Sequence, residues 1–148
     1  MKTVVITGAS GLLGRALVSA FESASWNVRG LALTRASGNL IAVDLTNFDE
    51  SANVILQAKP DIIIHSAAQR VPDKVEKEPE KTRALNVEAS ENLARLAEKE
   101  GIPFIHISTD YVFDGKNPPY KESDETNPLN KYGESKALAE KLVMAAKP

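Results

Sequence analysis

Hydrophobic positions along the chain switch between two rhythms. Thr3 to Thr7 (TVVIT) is a short, nearly continuous apolar run, the pattern of a strand buried on both faces. From Gly11 to Ser25, Leu12, Leu13, Ala16, Leu17, Ala20 and Phe21 recur at helical spacing. Asn27 to Leu33 and Leu40 to Leu45 read as the second and third strands. Phe48 to Ala58 reads as a helix, with Thr46 or Asn47 as its N-cap and Lys59-Pro60 as its end. Asp61 to Ser66 (DIIIHS) is the clearest buried strand. Pro79 to Glu100 predicts a long helix carrying Ala84, Leu85, Val87, Ala89, Leu93, Leu96 and Ala97, closed by Gly101. Pro103 to Ser108 gives a fifth strand, Asp110 to Pro128 a polar, proline-rich loop, and Leu129 to Lys147 a last helix.

Strands alternating with helices, and strands apolar on both faces, predict a parallel sheet covered by helices on each side. Ligands in such sheets sit beyond the carboxyl ends of the strands. At 148 residues the chain is one domain, with neither an internal repeat nor a linker. A net charge of −2 favours neither a nucleic-acid nor a membrane surface. The absence of cysteine excludes disulfides and thiolate metal sites. With no signal-peptide pattern and no long apolar run, the expected compartment is the cytoplasm. The mixed charges of Asp73 to Arg83 read as a solvated loop and first helical turn.

Candidate chemistry begins at Thr7-Gly8-Ala9-Ser10-Gly11-Leu12-Leu13-Gly14, where a strand runs into a helix. A dinucleotide pyrophosphate needs backbone N–H groups aimed at it and no side chains in between. Gly8, Gly11 and Gly14 meet that need, with a spacing one residue longer at its start than the Rossmann fingerprint. An acidic residue closing the second strand would hold a ribose 2′-hydroxyl and mark NAD. Here the segment is Leu31-Ala32-Leu33-Thr34-Arg35, without a carboxylate. Arg35 can meet a 2′-phosphate, so NADP(H) is favoured over NAD(H). Asp44, after the third strand, suits either an adenine-edge contact or a helix cap.

Tyr132 and Lys136 lie four residues apart on the last helix and share a face. An ammonium beside a phenol favours the phenolate and makes tyrosine a better acid–base group. On this reading Lys136 lowers the Tyr132 pKa and holds a nicotinamide ribose. Tyr132 then gives a proton to a carbonyl oxygen, which the Thr109 hydroxyl orients from the end of the fifth strand. His65 and His106 fall within strands and read as satisfied core histidines; no metal site is expected. Trp26 and Tyr120 read as packing residues.

The glycine turn, the Ser108-Thr109 strand end and Tyr132-x-x-x-Lys136, in that order, resemble the extended short-chain dehydrogenase/reductase family across essentially the whole chain. Ile107-Ser108-Thr109-Asp110-Tyr111-Val112-Phe113-Asp114-Gly115, Asn117-Pro118-Pro119-Tyr120 and Pro128-Leu129-Asn130-x-Tyr132-Gly133 look like the branch holding dTDP-4-dehydrorhamnose reductase and the regulatory beta subunit of methionine adenosyltransferase. Ala67-Ala68-Gln69-Arg70-Val71-Pro72-Asp73 and Leu85-Asn86-Val87-x-Ala89-Ser90 lean toward the regulatory subunit. The resemblance implies a Rossmann-type doubly wound α/β fold with strand order 3-2-1-4-5. It implies a catalytic triad of Thr109, Tyr132 and Lys136, and cofactor contacts from Ser10, Gly11, Leu12, Leu13, Arg35, Asp44, Leu45, Ala67, Ala68 and Arg70. Asn86 matches an asparagine that supports the site in relatives.

The family's dehydratases carry a glutamate where this chain has Tyr111, so water elimination is not expected. The implied partners are a nucleotide-sugar substrate or a methionine adenosyltransferase catalytic subunit. Relatives are roughly twice as long by the same resemblance. Residues 1–148 therefore read as an NAD(P)-binding domain that stops before the substrate-binding part, binds cofactor without turnover, and tends to self-associate through an open sheet edge.

Overall fold

The computed structural model describes all residues, Met1–Pro148. Five parallel strands form one sheet: β1 (Thr3–Thr7), β2 (Asn27–Ala32), β3 (Ile41–Ala42), β4 (Ile62–His65) and β5 (Phe104–His106), in the order β3-β2-β1-β4-β5. This is the expected Rossmann-type order. The helices are α1 (Leu12–Ser23), α2 (Phe48–Ala58), α3 (Pro72–Lys77), α4 (Pro79–Arg83), α5 (Ala89–Glu100) and α6 (Lys131–Ala146). No helix is long and apolar enough to cross a membrane.

The period of two along each strand divides the core. Val5, Leu31 and Ile63 face one side, where they pack with Ile55 of α2 and Leu93 and Ala97 of α5. Val4, Ile6 and Ile64 face the other, against Leu17, Val18 and Phe21 of α1. Both faces of β1 are therefore covered, and all five of its residues are buried. The helices change faces because the chain leaves β1 in one direction for β2 and later returns past it to β4. Right-handed crossovers in opposite directions put their helices on opposite faces. The reversal opens a crevice between the carboxyl ends of β1 and β4.

Three elements depart from the sequence pattern. The third strand shrinks to Ile41–Ala42, because β2 offers it only Leu31 and Ala32 as partners before turning away. The charged run is more ordered than a loop: α3 and α4 form on either side of Glu78, with Pro72 and Pro79 each at a helix start where a missing N–H costs nothing. The long helix keeps its expected ends, but a π-helical turn, Ala84–Glu88, separates α4 from α5 without breaking the helical path. Asn47 is the N-cap of α2, its side chain accepting from Glu50 N–H, and Lys59 ends that helix in the left-handed region. Trp26 packs edge-on against Phe21. Tyr120 stacks on Phe113 and its hydroxyl also donates to Asp114 at 2.6 Å, so it is more than a packing residue. That bond, with those from Lys116 N–H and Asn127, holds the Asp114 carboxyl down at about 2.

Candidate functional site

The β1–α1 turn sits over the crevice. Gly8 has φ +67°, and a Cβ there would lie 2.8 Å from the Cα and N of Ala67 on the β4 side. Gly14, on the first turn of α1, would drive a Cβ to 2.1 Å from the Gly8 carbonyl oxygen. These two positions require glycine for separate reasons, one conformational and one a close approach of helix to turn. Gly11 caps α1 without any side-chain hydrogen bond, so the helix's first amides keep no protein cap. Leu12 and Leu13 stay exposed beside them, and Ser10 is half-buried. Backbone donors, a helix N-terminus and an apolar rim therefore meet where an anionic, flat ligand would lie.

Arg35 is exposed beyond the end of β2. Asp44 is engaged locally: Oδ1 accepts from Thr46 N–H at 2.9 Å and from the Thr46 hydroxyl at 2.7 Å. It shapes the turn into α2 but does not cap that helix. Leu45 is buried in the core, and Ala67 and Ala68 line the far side of the crevice, half-buried.

A buried polar relay ties this crevice to α6. Asn86, fully buried in the π-helical turn, accepts from Gln69 N–H at 2.7 Å and donates to the Gln69 carbonyl at 2.9 Å and to Ser135 Oγ at 3.0 Å. Ser135 donates in turn to the Tyr132 carbonyl at 2.7 Å. Ser90 donates to the Asn86 carbonyl at 2.8 Å, so its oxygen accepts from His65 Nε2–H at 2.9 Å. That assignment leaves His65 Nδ1 as an acceptor for the Thr7 hydroxyl at 2.7 Å, and Thr7 Oγ1 accepts from Ala67 N–H at 3.3 Å. Every donor has one acceptor, which fixes the tautomer of a ring with no solvent exposure. Burial first, then the neighbouring His106 ring and the Lys136 ammonium, push His65 well below its ordinary pKa, and it stays neutral.

The expected triad is placed less simply. Thr109 precedes a 3₁₀ turn, Asp110–Val112, and its hydroxyl accepts from Tyr111 N–H at 3.3 Å and donates to Asp110 at 3.3 Å. Asp110 is exposed, and its carboxylate is held by that bond. Tyr132 stands half-buried on the first turn of α6, edge-on to Tyr111. Its phenol is pushed up, not down. Burial raises it, and Arg70 and the Thr109 hydroxyl counter that only partly. The cation acting on Tyr132 is Arg70; Lys136 is not among the groups that shift it.

Lys136 points elsewhere. Only 2% exposed, it donates to the Ile107 carbonyl at 2.6 Å and to His106 Nε2 at 3.1 Å. Burial brings its pKa down to about 8, against the pull of Glu140 one turn further along α6. The expectation that Lys136 tunes the phenol is therefore corrected. So is the expectation for His106, whose Nδ1 is buried with no partner. No spacing rule in the sequence reveals the His65–Ser90 bond or the Lys136–His106 bond, because both join residues on different elements.

Comparisons with known proteins agree with this architecture. The chain is 46% identical to the methionine adenosyltransferase 2 subunit beta of Bos taurus over 143 residues, which is 97% of this chain and 43% of the relative. It is 42% identical to a dTDP-4-dehydrorhamnose reductase of Mycolicibacterium smegmatis over 147 residues, 98% of this chain and 42% of that protein. A hypothetical dTDP-4-dehydrorhamnose reductase from Sulfolobus tokodaii superposes with a TM-score of 0.88 at 41% identity, covering 96% of this chain and 51% of that one. The Bacillus anthracis dTDP-4-dehydrorhamnose reductase in complex with NADP superposes at 0.86 with 33% identity, covering 99% of this chain and 50% of that one. The chain thus spans less than half the length of the curated relatives it matches. With residues 1–148 all matched to the family model described as the RmlD substrate binding domain, the chain belongs to that family.

Proposed function

We propose that residues 1–148 form the NADP(H)-holding domain of a reductase that acts on a keto-sugar nucleotide. One observation carries this reading: the glycine-rich turn of Gly8, Gly11 and Gly14 opens at the same carboxyl end of the parallel sheet as Thr109 and Tyr132. The residues fit a dinucleotide, since Gly11 begins α1 with no side-chain cap and leaves the first amides of that helix free for an anion beside the exposed Leu12 and Leu13. The bound nicotinamide would supply the hydride. Gly8 to Gly14 would take the pyrophosphate on backbone N–H groups and Leu12 and Leu13 would cover it. Arg35 would meet the 2′-phosphate, while Asp44, Leu45, Ala67, Ala68 and Arg70 would border the adenosine and ribose.

Tyr132 is the proton donor in this scheme. A phenol raised above its ordinary value is protonated at neutral pH, the state a reduction requires. The developing alkoxide is far more basic than a phenolate, so transfer to it is downhill. Arg70 would stabilise the phenolate left behind, and Thr109 would hold the carbonyl oxygen. Lys136 would keep the nicotinamide ribose. The proposed compartment is the cytoplasm, in keeping with a cysteine-free chain.

The test is NADPH oxidation with dTDP-4-dehydrorhamnose by a longer protein containing this segment, and by its Tyr132→Phe variant. Turnover that falls about 10²- to 10⁴-fold in the variant supports the reading. Absence of turnover in both rejects it.

A second reading rests on identity. Methionine adenosyltransferase 2 beta subunits from vertebrates match at 44–46%, slightly above the reductase at 42%. On this reading the segment holds NADP within a regulatory subunit that docks on a methionine adenosyltransferase catalytic subunit. Co-purification with that subunit, with no turnover, would select it.

A further inference from the structure

The two strand histidines have opposite environments. His65 pairs both ring nitrogens within the protein. His106 pairs one, and its single bond goes to Lys136. An ammonium has no lone pair, so His106 Nε2 must accept and the ring proton must sit on Nδ1. That N–H is buried and unpaired, which costs stability without any local return. A residue kept only for packing would not carry such an orphan; an apolar side chain would fill the same space at lower cost. Lys136 meanwhile has three N–H donors, of which the Ile107 carbonyl and His106 take two.

We propose that His106 is a positioning residue for Lys136: with the Ile107 carbonyl it fixes the ammonium between β5 and α6 and leaves one N–H for the ribose of a bound dinucleotide. The ribose part rests on the dinucleotide-binding reading above; the coupling of His106 to Lys136 does not. The other groups that bear on Lys136 are Glu140 on α6, which also accepts from Ser108, and His65 on β4, whose ring centroid lies 5.5 Å from that of His106. His106 remains a neutral acceptor near neutrality, because burial and the Lys136 charge hold it down at about 4. An acceptor bonded to the charged lysine favours that charged form, so losing it moves the lysine titration downward.

The experiment compares wild type, His106→Leu and His106→Gln, the last retaining an acceptor. The Lys136 titration is followed by ¹³Cε-lysine NMR without ligand, and NADPH affinity is measured by fluorescence across the same pH range. In wild type the affinity falls as pH rises through about 8, where Lys136 loses its charge. In His106→Leu the lysine titration moves down by about half a unit or more, and affinity at neutral pH drops about 3- to 10-fold. His106→Gln restores both the titration and the affinity. An unmoved lysine titration in His106→Leu, or a glutamine variant that behaves like leucine, overturns the proposal. If wild type binds no NADPH while the lysine titration still moves, the dinucleotide reading fails and the His106–Lys136 coupling stands.

Discussion

At the scale of single residues, the glycine turn is where sequence and structure agree most closely. Gly8 and Gly14 were legible as a glycine turn between strand and helix, and the structure shows what each glycine does within the fold: Gly8 takes φ +67° against the backbone of Ala67, and Gly14 lets α1 close on the Gly8 carbonyl. Gly14→Ala would push a methyl group into the Gly8 carbonyl, so it is expected to destabilise the fold by about 1–3 kcal/mol, read from urea denaturation. Tyr132 and Lys136 were legible as a pair, but their electrostatics were not. Helical spacing shows that two side chains share a face; it does not show which acceptors each one finds. Lys136 finds Ile107 and His106, and Tyr132 is left to burial and Arg70. The phenolate absorbance of wild type minus Tyr132→Phe should therefore titrate above 10, and a midpoint below 10 would return the lysine-tuned picture.

Among the elements, the π-helical turn matters most for the site. It carries Asn86, which clamps Gln69 after β4 and Ser135 on α6 at once. Apolar periodicity predicted a helix over 79–100 and could not register one extra residue per turn, since Leu85, Val87 and Leu93 still fall on a buried face. Short α3 escaped the pattern for another reason: a charged hexamer with one buried residue, Val75, has too little apolar signal. The third strand was overread because β-prone residues continue past the point where its partner ends. Asn86→Ala should leave the half-buried Gln69 backbone groups without their partner and cost about 1–3 kcal/mol. The same variant should broaden the Tyr132 ring resonances, since the first turn of α6 loses a tie to the π-helical turn. A variant as stable as wild type would show that the clamp is dispensable.

For the whole molecule, alternation alone made the helix-covered parallel sheet legible, while the strand order β3-β2-β1-β4-β5 that opens the crevice was legible only through the family resemblance. The buried histidines add a pH dependence that composition does not suggest. Both are neutral in the fold, whereas an unfolded histidine takes its proton near 6.5. As pH falls below about 6.5 the unfolded chain binds more protons, so stability declines, and the His106 share continues down to about 4. The limit is about 1.4 kcal/mol per pH unit for each ring. Urea midpoints at pH 7, 6 and 5 should fall in that order, with a smaller fall in His106→Leu; a flat profile would mean that the rings titrate normally. The β5 edge, where Ile105 is 45% exposed, offers unpaired backbone to a further strand, so concentration-dependent association of the isolated chain is expected in sedimentation runs.

The most direct test is a calorimetric titration of this chain with NADPH and with NADH. Saturable binding with a Kd below about 1 mM, tighter for NADPH and lost in a Gly11→Val variant that keeps its far-ultraviolet circular dichroism, is the predicted result. No saturable binding of either dinucleotide at millimolar concentration, or unchanged binding in Gly11→Val, would contradict the claim that the Gly8–Gly14 turn holds one.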